Sequence, residues 1–173
     1  MNNELILSDL PKSIISEDIR TIRTNLEFSL SDFDEKVLMI TSSLPSEGKT
    51  FISSNLAIAL AKNDYKVILI DCDLRCGRLH KMFKVTNKNG LSNFISNYDG
   101  NINLKKYSIK TDIKGLTIIT RGTVPPNPSE LLSSNKFKAL IRTWNLYKKE
   151  DISYLKKLYC FICYIFNAIK RRI

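Results

Sequence analysis

The sequence predicts an α/β fold with a mostly parallel sheet, because short apolar runs alternate with a segment of helical periodicity. Three runs rich in branched residues, at 37–41, 67–70 and 116–120, are typical of strands buried on both faces. Residues 50–62 lie between the first two runs and repeat their apolar positions at helical spacing. Strands and helices joined by short connections indicate right-handed crossovers, with helices on both faces of the sheet in three layers.

A helix is expected ahead of the sheet. Ser16 precedes Glu17 and Asp18, a cap residue followed by acids that suit the positive end of a helix dipole. From this cap the helix is expected to run to about Leu26.

Turn and loop signals mark the second half of the chain. Residues 87–103 are rich in Asn and Gly, which indicates loops around one short helix. The proline-rich stretch 124–128 cannot continue any element, because proline lacks the amide donor. Either Ser129 or Ser133 is expected to cap the helix that follows.

Length and composition fit one globular domain. The chain has 173 residues, 43% hydrophobic and 25% charged, which excludes collagen-like, disordered and coiled-coil classes. Four cysteines are too few for a disulfide scaffold. The longest apolar run, residues 158–169, is shorter than the roughly 20 residues of a membrane-spanning helix. We therefore expect a soluble, cytoplasmic protein.

The net charge of +10 is unevenly distributed. From residue 148 onward seven Lys and Arg residues accompany two acids, so half of the excess lies in this tail. The rest of the chain alternates charges of both signs and lacks the basic, aromatic-rich surface typical of nucleic-acid binding. No nucleic-acid partner is expected.

Residues 43–50 form a phosphate-binding pattern. They read Ser-Leu-Pro-Ser-Glu-Gly-Lys-Thr, the P-loop pattern with Ser in place of its first Gly, between a predicted strand and a predicted helix. The backbone N–H groups of such a turn converge on phosphate oxygens, Lys49 reaches the terminal phosphates, and the Thr50 hydroxyl ligates Mg²⁺. The residues expected to contact nucleotide are Pro45, Ser46, Glu47, Gly48, Lys49, Thr50 and Phe51. The alternative, an ordinary turn with a chance Gly-Lys-Thr, is disfavoured by both flanks.

Two carboxylates follow the next strand. Asp71 and Asp73 are two residues apart, so along an extended strand they share a face. Ligands of open α/β sheets bind at the carboxyl ends of the strands. Two like charges there are costly without a cation, and Mg²⁺ favours oxygen ligands. Together with Thr50, the two aspartates are therefore the predicted metal ligands.

Four segments, in order, resemble the bacterial tyrosine kinase (BY-kinase) family of capsule and exopolysaccharide gene clusters. Residues 11–26 are similar to that family's Glu-x-x-Arg-x-x-Arg-Thr-Asn helix, residues 41–50 to its Walker A segment and residues 67–75 to its second Walker motif. The fourth segment, residues 115–134, contains the run Pro-Pro-Asn-Pro-Ser-Glu-Leu-Leu and is close to a further stretch of the family. The resemblance covers about residues 11–140.

The resemblance implies an enzyme that transfers the γ-phosphoryl group of ATP, with Mg²⁺, to tyrosine hydroxyls on itself and on partners in polysaccharide export. Lys49, Asp71 and Asp73 would be the catalytic residues, the two aspartates helping with the metal and with the tyrosine proton. Members act with a separate membrane-anchored activator, which implies a cytoplasmic protein recruited to the inner face of the membrane, and they assemble into rings.

The resemblance assigns residues 11–36 to oligomerisation, with Glu17, Arg20 and Arg23 at the subunit contact. Steps of three residues drift by only about 60° around a helix, so these side chains stay on one side. An acid facing two arginines across a head-to-tail contact can close a ring. The alternative is an exposed helix with local ion pairs.

Residues 1–147 are expected to form the kinase-like domain and residues 148–173 a divergent tail. The family continues into a Walker B strand ending in Asp, but no apolar run ending in Asp follows Asp71. We therefore expect a sheet that lacks a central strand and is incomplete at its C-terminal part.

For the tail, the favoured interpretation is a helix docked on the body or an unfolded remnant, because apolar residues from Leu155 to Ile169 recur at helical spacing. A basic helix lying on a membrane is the alternative. Residues whose codons can be built from A and T also dominate the tail, as an out-of-frame reading of AT-rich DNA would produce.

Two other functions compete with the kinase. An inactive ATP-binding module of the same family would bind nucleotide without transferring phosphate. A partitioning-type ATPase is disfavoured, because those relatives carry Lys where this chain has Leu44.

Overall fold

The computed structural model describes residues 4–31, 36–100, 103–146 and 158–163, and for Lys36, 142–146 and 158–163 only the backbone. The helices are α1 (Ile6–Asp9), α2 (Ile14–Ser29), α3 (Lys49–Lys62), α4 (Leu79–Met82), α5 (Leu91–Ser96), a 3₁₀ turn (Leu104–Lys106), α6 (Pro128–Ser133) and α7 (Asn135–Leu146). The strands are β1 (Lys36–Ile40), β2 (Lys66–Asp71), β3 (Ile109–Lys110), β4 (Leu116–Ile119) and β5 (Leu158–Cys163).

The described strands form one sheet in the order β1-β5-β2-β4-β3. Strand β5 is parallel to both β1 and β2, and β2 is parallel to β4, whereas β3 pairs antiparallel with β4 at the edge. The predicted strands and the helix after the first strand agree with β1, β2, β4 and α3 to within one residue. The α/β fold with a mostly parallel sheet is confirmed.

The prediction for the tail was wrong where the structure describes it. Leu158–Cys163 is not a helix but a strand, and it lies between β1 and β2, in the central position that the sequence analysis expected to be empty. Its six residues form one continuous apolar run, which suits a strand buried on both faces as well as a helix. Periodicity alone cannot distinguish a strand from a helix in so short a run. The strand is favoured because β1 and β2 each present an unpaired edge to this segment.

Two apolar layers cover the sheet. On one face Val67 and Leu69 of β2 pack with α2 and α3, and on the other Ile70 packs with α5 and Leu140 of α7. Helix α3 is buried around nearly its whole circumference from Ser53 to Ala61, because α1 and α2 cover the side that faces away from the sheet. Among the described residues, no helix is both long and apolar enough to cross a membrane.

Helix caps differ from the expected ones. Helix α2 begins at Ile14, and its cap is Ser13, whose hydroxyl oxygen accepts a hydrogen bond from the Ser16 amide at 3.2 Å. Ser16 is fully buried, and its hydroxyl donates to the Leu10 carbonyl at 2.8 Å, so it cannot serve as a cap.

The short helices beyond Asn87 also refine the prediction. The expected short helix within residues 87–103 is α5. Helix α6 starts with Pro128 at its first position, where the missing amide costs nothing. The hydroxyl oxygen that accepts at the start of α7 is that of Ser134, which bonds the Phe137 amide at 3.2 Å, and not that of Ser129 or Ser133.

Candidate nucleotide-binding site

The turn between β1 and α3 has the backbone of a phosphate-binding loop. Ser46 and Gly48 both have positive φ, at 63° and 84°. A Cβ added at Gly48 would meet no protein atom within 4 Å, so the left-handed backbone, rather than crowding by the protein, requires glycine there. The turn leads directly into the N-terminus of α3, which carries the positive end of the helix dipole.

Lys49 is buried and folded along this turn. Its exposed fraction is 7%, and its Nζ donates hydrogen bonds to the Ser42 hydroxyl and, at 2.8 Å, to the Leu44 carbonyl. The carboxylate of Glu47 accepts a hydrogen bond from the Leu44 amide at 3.0 Å, and this bond is the main cause that lowers the pKa of Glu47. The turn is therefore held closed by its own side chains.

A cavity of about 230 Å³ opens beside the turn. Its lining residues are Glu4, Pro45, Ser46, Gly48, Lys49, Thr50, Phe51, Asp73, Cys76, Arg78 and Met82. Six of the seven residues predicted to contact nucleotide line it, together with one of the two predicted aspartates. The two predicted residues outside the lining are Glu47, which is bonded back to the turn, and Asp71.

Asp71 is the last residue of β2 and is 2% exposed. Its two carboxylate oxygens accept from the amides of Asp73 and Leu79, each at 3.2 Å. Burial raises the pKa of Asp71 to about 7, against the lowering effect of these hydrogen bonds. A Cβ at Gly77 would lie 2.6 Å from one carboxylate oxygen, so the loop can wrap this closely only with glycine at that position.

Asp73 does not extend the strand, contrary to the expected shared face. The chain turns after Asp71, and the Asp73 carboxylate accepts from the Cys76 amide at 2.9 Å. Asp73 consequently lines the cavity while Asp71 lies buried behind the loop. Residues two apart share a face only along extended backbone, and the backbone from Asp71 to Asp73 is not extended.

Residues from distant parts of the chain complete the cavity, and they were not predicted from the sequence. Glu4 lies at the cavity and forms a 4.0 Å ion pair with Arg78. The N-terminal segment is held there by the fully buried Asn55 of α3, whose side chain bonds the Glu4 carbonyl at 2.9 Å and the Leu7 amide at 3.1 Å. A lone Asn inside an apolar helical pattern was the available signal for this contact.

The predicted subunit-contact residues lie on α2, away from this cavity. Glu17 forms an ion pair with Arg20, whose guanidinium also donates to the Pro11 carbonyl at 2.6 Å. Arg23 is paired with Glu27 at 3.7 Å. The local pairs of the alternative interpretation are thus present, while large apolar side chains on α2, Ile14 and Phe28, are 82% and 75% exposed.

The donor set suits Mg²⁺. Thr50 and Asp73 bring a hydroxyl and a carboxylate to one cavity, and Mg²⁺ commonly takes one or two protein oxygens and completes its shell with water and phosphate oxygens. Among the described residues no group of three or more His, Cys, Asp or Glu could hold a metal by itself. Oxygen donors of this kind are therefore suited to a nucleotide-bound metal rather than to a protein-only cage.

The phosphate-binding turn and the parallel sheet are typical of P-loop nucleotide-binding proteins, and a family model supports this class. The CbiA family, described as the CobQ/CobB/MinD/ParA nucleotide binding domain, matches residues 38–158. This span includes the turn, Asp71, Asp73 and β4. The chain is a P-loop nucleotide-binding domain of this family.

Similarity to individual proteins narrows the class. The chain is 40% identical over 144 residues to the tyrosine-protein kinase etk of Escherichia coli K12, which covers 83% of this chain and 19% of that protein. It is 42% identical over 139 residues to the putative tyrosine-protein kinase CapB of Staphylococcus aureus, covering 79% and 58% of the two. The crystal structure of the chimerical protein CapA2B2 superposes with a TM-score of 0.79 at 31% identity, over 98% of this chain and 70% of that one.

The chain belongs to the bacterial tyrosine kinase family. It spans between about a fifth and three fifths of the length of these two curated relatives.

Proposed function

We propose that this chain binds ATP with Mg²⁺ and transfers the γ-phosphoryl group to tyrosine hydroxyls, including its own, in the control of capsular or exopolysaccharide synthesis and export. The observation that supports this most is that Lys49, Thr50 and Asp73 line one cavity beside a left-handed glycine turn. Tyrosine is proposed as the acceptor of the phosphoryl group because the relatives are named tyrosine-protein kinases.

In this proposal the turn residues bind and orient the triphosphate. Lys49 would exchange its hydrogen bond to the Leu44 carbonyl for one to a phosphate oxygen, so nucleotide binding and opening of the closed turn are coupled. Backbone amides of the turn and the N-terminus of α3 would bind the remaining oxygens. Bound Mg²⁺ would neutralise phosphate charge, with Thr50 and Asp73 as its protein ligands.

The two aspartates would have different roles in this proposal. Asp73 lines the cavity, which supports a role for its carboxylate at the metal or at the tyrosine hydroxyl. Because Asp71 is buried, it would act through the Asp73 amide that it accepts from, as a residue that positions the loop.

A catalytically impaired ATP-binding module is the second candidate, and one observation favours it. The central strand is present, but its last residue, Cys163, is in register with Asp71 and with Ile40. By resemblance the family has an Asp at the end of this strand. A thiol is a poor ligand for Mg²⁺, so the loss of this carboxylate would reduce phosphoryl transfer more than nucleotide affinity.

Labelled ATP distinguishes the two candidates. The protein would be incubated with γ-labelled ATP and Mg²⁺, and binding and tyrosine labelling measured for wild type, for Lys49→Ala and for the control Lys81→Ala, a lysine outside the cavity lining. Labelled tyrosine in wild type and Lys81→Ala but not in Lys49→Ala supports the kinase. Binding that depends on Lys49 without labelling supports the module, and equal binding by all three contradicts both.

Assembly and recruitment are part of the same proposal. We infer that Glu17, Arg20 and Arg23 pair across copies in a ring, exchanging their present local partners, and that a membrane-anchored activator brings this chain to the inner face of the membrane. The exposed apolar side chains of α2 would be covered in such a contact. Sedimentation of wild type against Glu17→Arg tests it, since the reversed charge would repel two arginines.

A further inference from the structure

A second cavity lies at the opposite end of the sheet from the nucleotide turn. It has a volume of about 360 Å³ and is bounded by the amino ends of β2 and β4, the short strand β3 and the turn between β3 and β4. This volume is in the range of small-ligand sites, about 300–1,000 Å³. Since nucleotide-binding sites of open α/β sheets use the carboxyl ends of the strands, this cavity is separate from the P-loop site.

The strand register brings basic and hydroxyl side chains to one face of this cavity. Ile68 is paired with Thr117, and Thr117 is paired with Lys110, so the three form a row across β2, β4 and β3. Lys66 precedes Ile68 by two residues on the same strand and shares that face. The lining of the cavity therefore combines Ile68 of β2 with a threonine and two lysines on the same face of the sheet.

The turn after β3 adds a third lysine and is rigidly attached. Gly115 has a φ of 90°, and a Cβ there would lie 2.7 Å from the Tyr65 carbonyl oxygen, so the turn packs directly on the start of β2. The Val67 amide donates to the Gly115 carbonyl at 2.8 Å. The hydroxyl of Thr111 closes the same turn through the Leu116 carbonyl at 3.0 Å. The backbone of Lys114, next to Gly115, is thereby held at the cavity, which this residue lines with an exposed side chain.

The cavity concentrates positive charge without neutralising it. Lys66, Lys110 and Lys114 all line it, and Asp112 of the same turn lies outside the lining. No carboxylate lines it among the residues that the structure describes. Within the described part of the chain, none of these three lysines forms an ion pair. All three lysines are exposed, so an anion can reach them from solvent, and an anion bound among them would be attracted by each.

We propose that this cavity binds phosphoryl groups of a second ligand. A phosphoryl group carries a charge of about −1.5 to −2 at neutral pH, so it gains more from three ammonium groups than a carboxylate does. Lysine binds phosphate as a point charge and needs no bidentate geometry, and the Thr117 hydroxyl supplies a further donor. The phosphoryl group can belong to a free phosphorylated compound or to a lipid headgroup.

Nuclear magnetic resonance can localise this binding. Inorganic pyrophosphate would be titrated into the ¹⁵N-labelled full chain, in wild type, in the double variant Lys66→Gln/Lys114→Gln, and in the control Lys105→Gln, an exposed lysine outside the lining. We expect amide shifts at 66–68 and 110–117 in wild type and in Lys105→Gln, and at least tenfold weaker binding at those amides in the double variant. Pyrophosphate should also shift the P-loop amides, because these are proposed to bind nucleotide phosphates, and those shifts should be equal in all three proteins.

A vesicle-binding experiment distinguishes a free phosphorylated compound from a lipid headgroup as the source of the phosphoryl group. Phosphatidylcholine vesicles with phosphatidic acid would be compared with phosphatidylcholine alone in a pelleting assay, using the same three proteins. Pyrophosphate shifts that depend on the lysine pair support a free phosphorylated ligand, and vesicle binding alone with the same dependence supports a lipid headgroup. The proposal is overturned if pyrophosphate does not shift these amides and the protein does not pellet with the vesicles that contain phosphatidic acid. It is also overturned if the double variant binds both probes as wild type does.

Discussion

Replacing Gly77 by alanine tests how the loop after β2 is built. The residue needs no left-handed backbone, so alanine brings no conformational strain. Its added methyl group, however, would lie 2.6 Å from the Oδ1 atom of Asp71 and 2.6 Å from the Asp73 carbonyl oxygen, and it would also collide with Oδ2. The free energy cost therefore arises from the collision alone.

The magnitude follows from how little the loop can yield. Ordinary carbon contacts begin near 3.4 Å, so the carboxylate or the loop must move by about 0.8 Å. Overpacking of this kind costs about 1–3 kcal/mol, and moving the Asp71 carboxylate also weakens two backbone hydrogen bonds. We expect Gly77→Ala to lower the free energy of unfolding by about 2–3 kcal/mol, which lowers the Tm by roughly 4–12 °C in a domain of this size.

A double-mutant cycle identifies the collision partner. Urea unfolding would be measured for wild type, Gly77→Ala, Asp71→Ala and the double variant. With the carboxylate removed, Gly77→Ala should cost at least about 1 kcal/mol less than in wild type, because two of its three close contacts are gone. Equal costs in both backgrounds, or a cost below about 0.5 kcal/mol in wild type, would refute the reasoning.

Two further predictions concern charge at the candidate site. The pKa of Asp71 is raised from 3.8 to about 7, so the folded state binds a proton that the unfolded chain has released. The resulting stability is fully present below about pH 4 and is lost as the pH rises through 7, roughly 4 kcal/mol over the whole range. The part lost between pH 5 and 7.5, about 2–3 kcal/mol, should be absent in Asp71→Asn when urea midpoints are compared at these two pH values without metal ions. Glu4→Gln should bind ATP up to about fivefold more tightly by calorimetry, because a carboxylate at the cavity repels phosphate, whereas Glu130→Gln, outside the lining, should match wild type. Unchanged affinity in Glu4→Gln would show that Arg78 already neutralises this carboxylate.

The local parts of the site could be predicted because each depends on neighbouring residues. The Gly48-Lys49-Thr50 turn needs only a strand before it, a helix after it and one glycine of positive φ. All three features depend on residues that are neighbours in the sequence. The place of Asp71 at the end of β2 follows in the same way. The roles of Glu4 and Gly77 depend on packing between segments, for which no local pattern exists.

The sequence by itself determined the alternation of strands and helices, the phosphate-binding turn and the family resemblance, because backbone sterics and apolar periodicity act over a few residues. The tertiary structure alone decided that Leu158–Cys163 is a strand, since an apolar run of six residues takes the form that its neighbours leave open, and here β1 and β2 each present an edge to it. The tertiary structure likewise separated Asp71, which is buried, from Asp73, which lines the cavity. The reason is that the loop after β2 wraps around the Asp71 carboxylate, donates two amides to it and packs closely on it at Gly77.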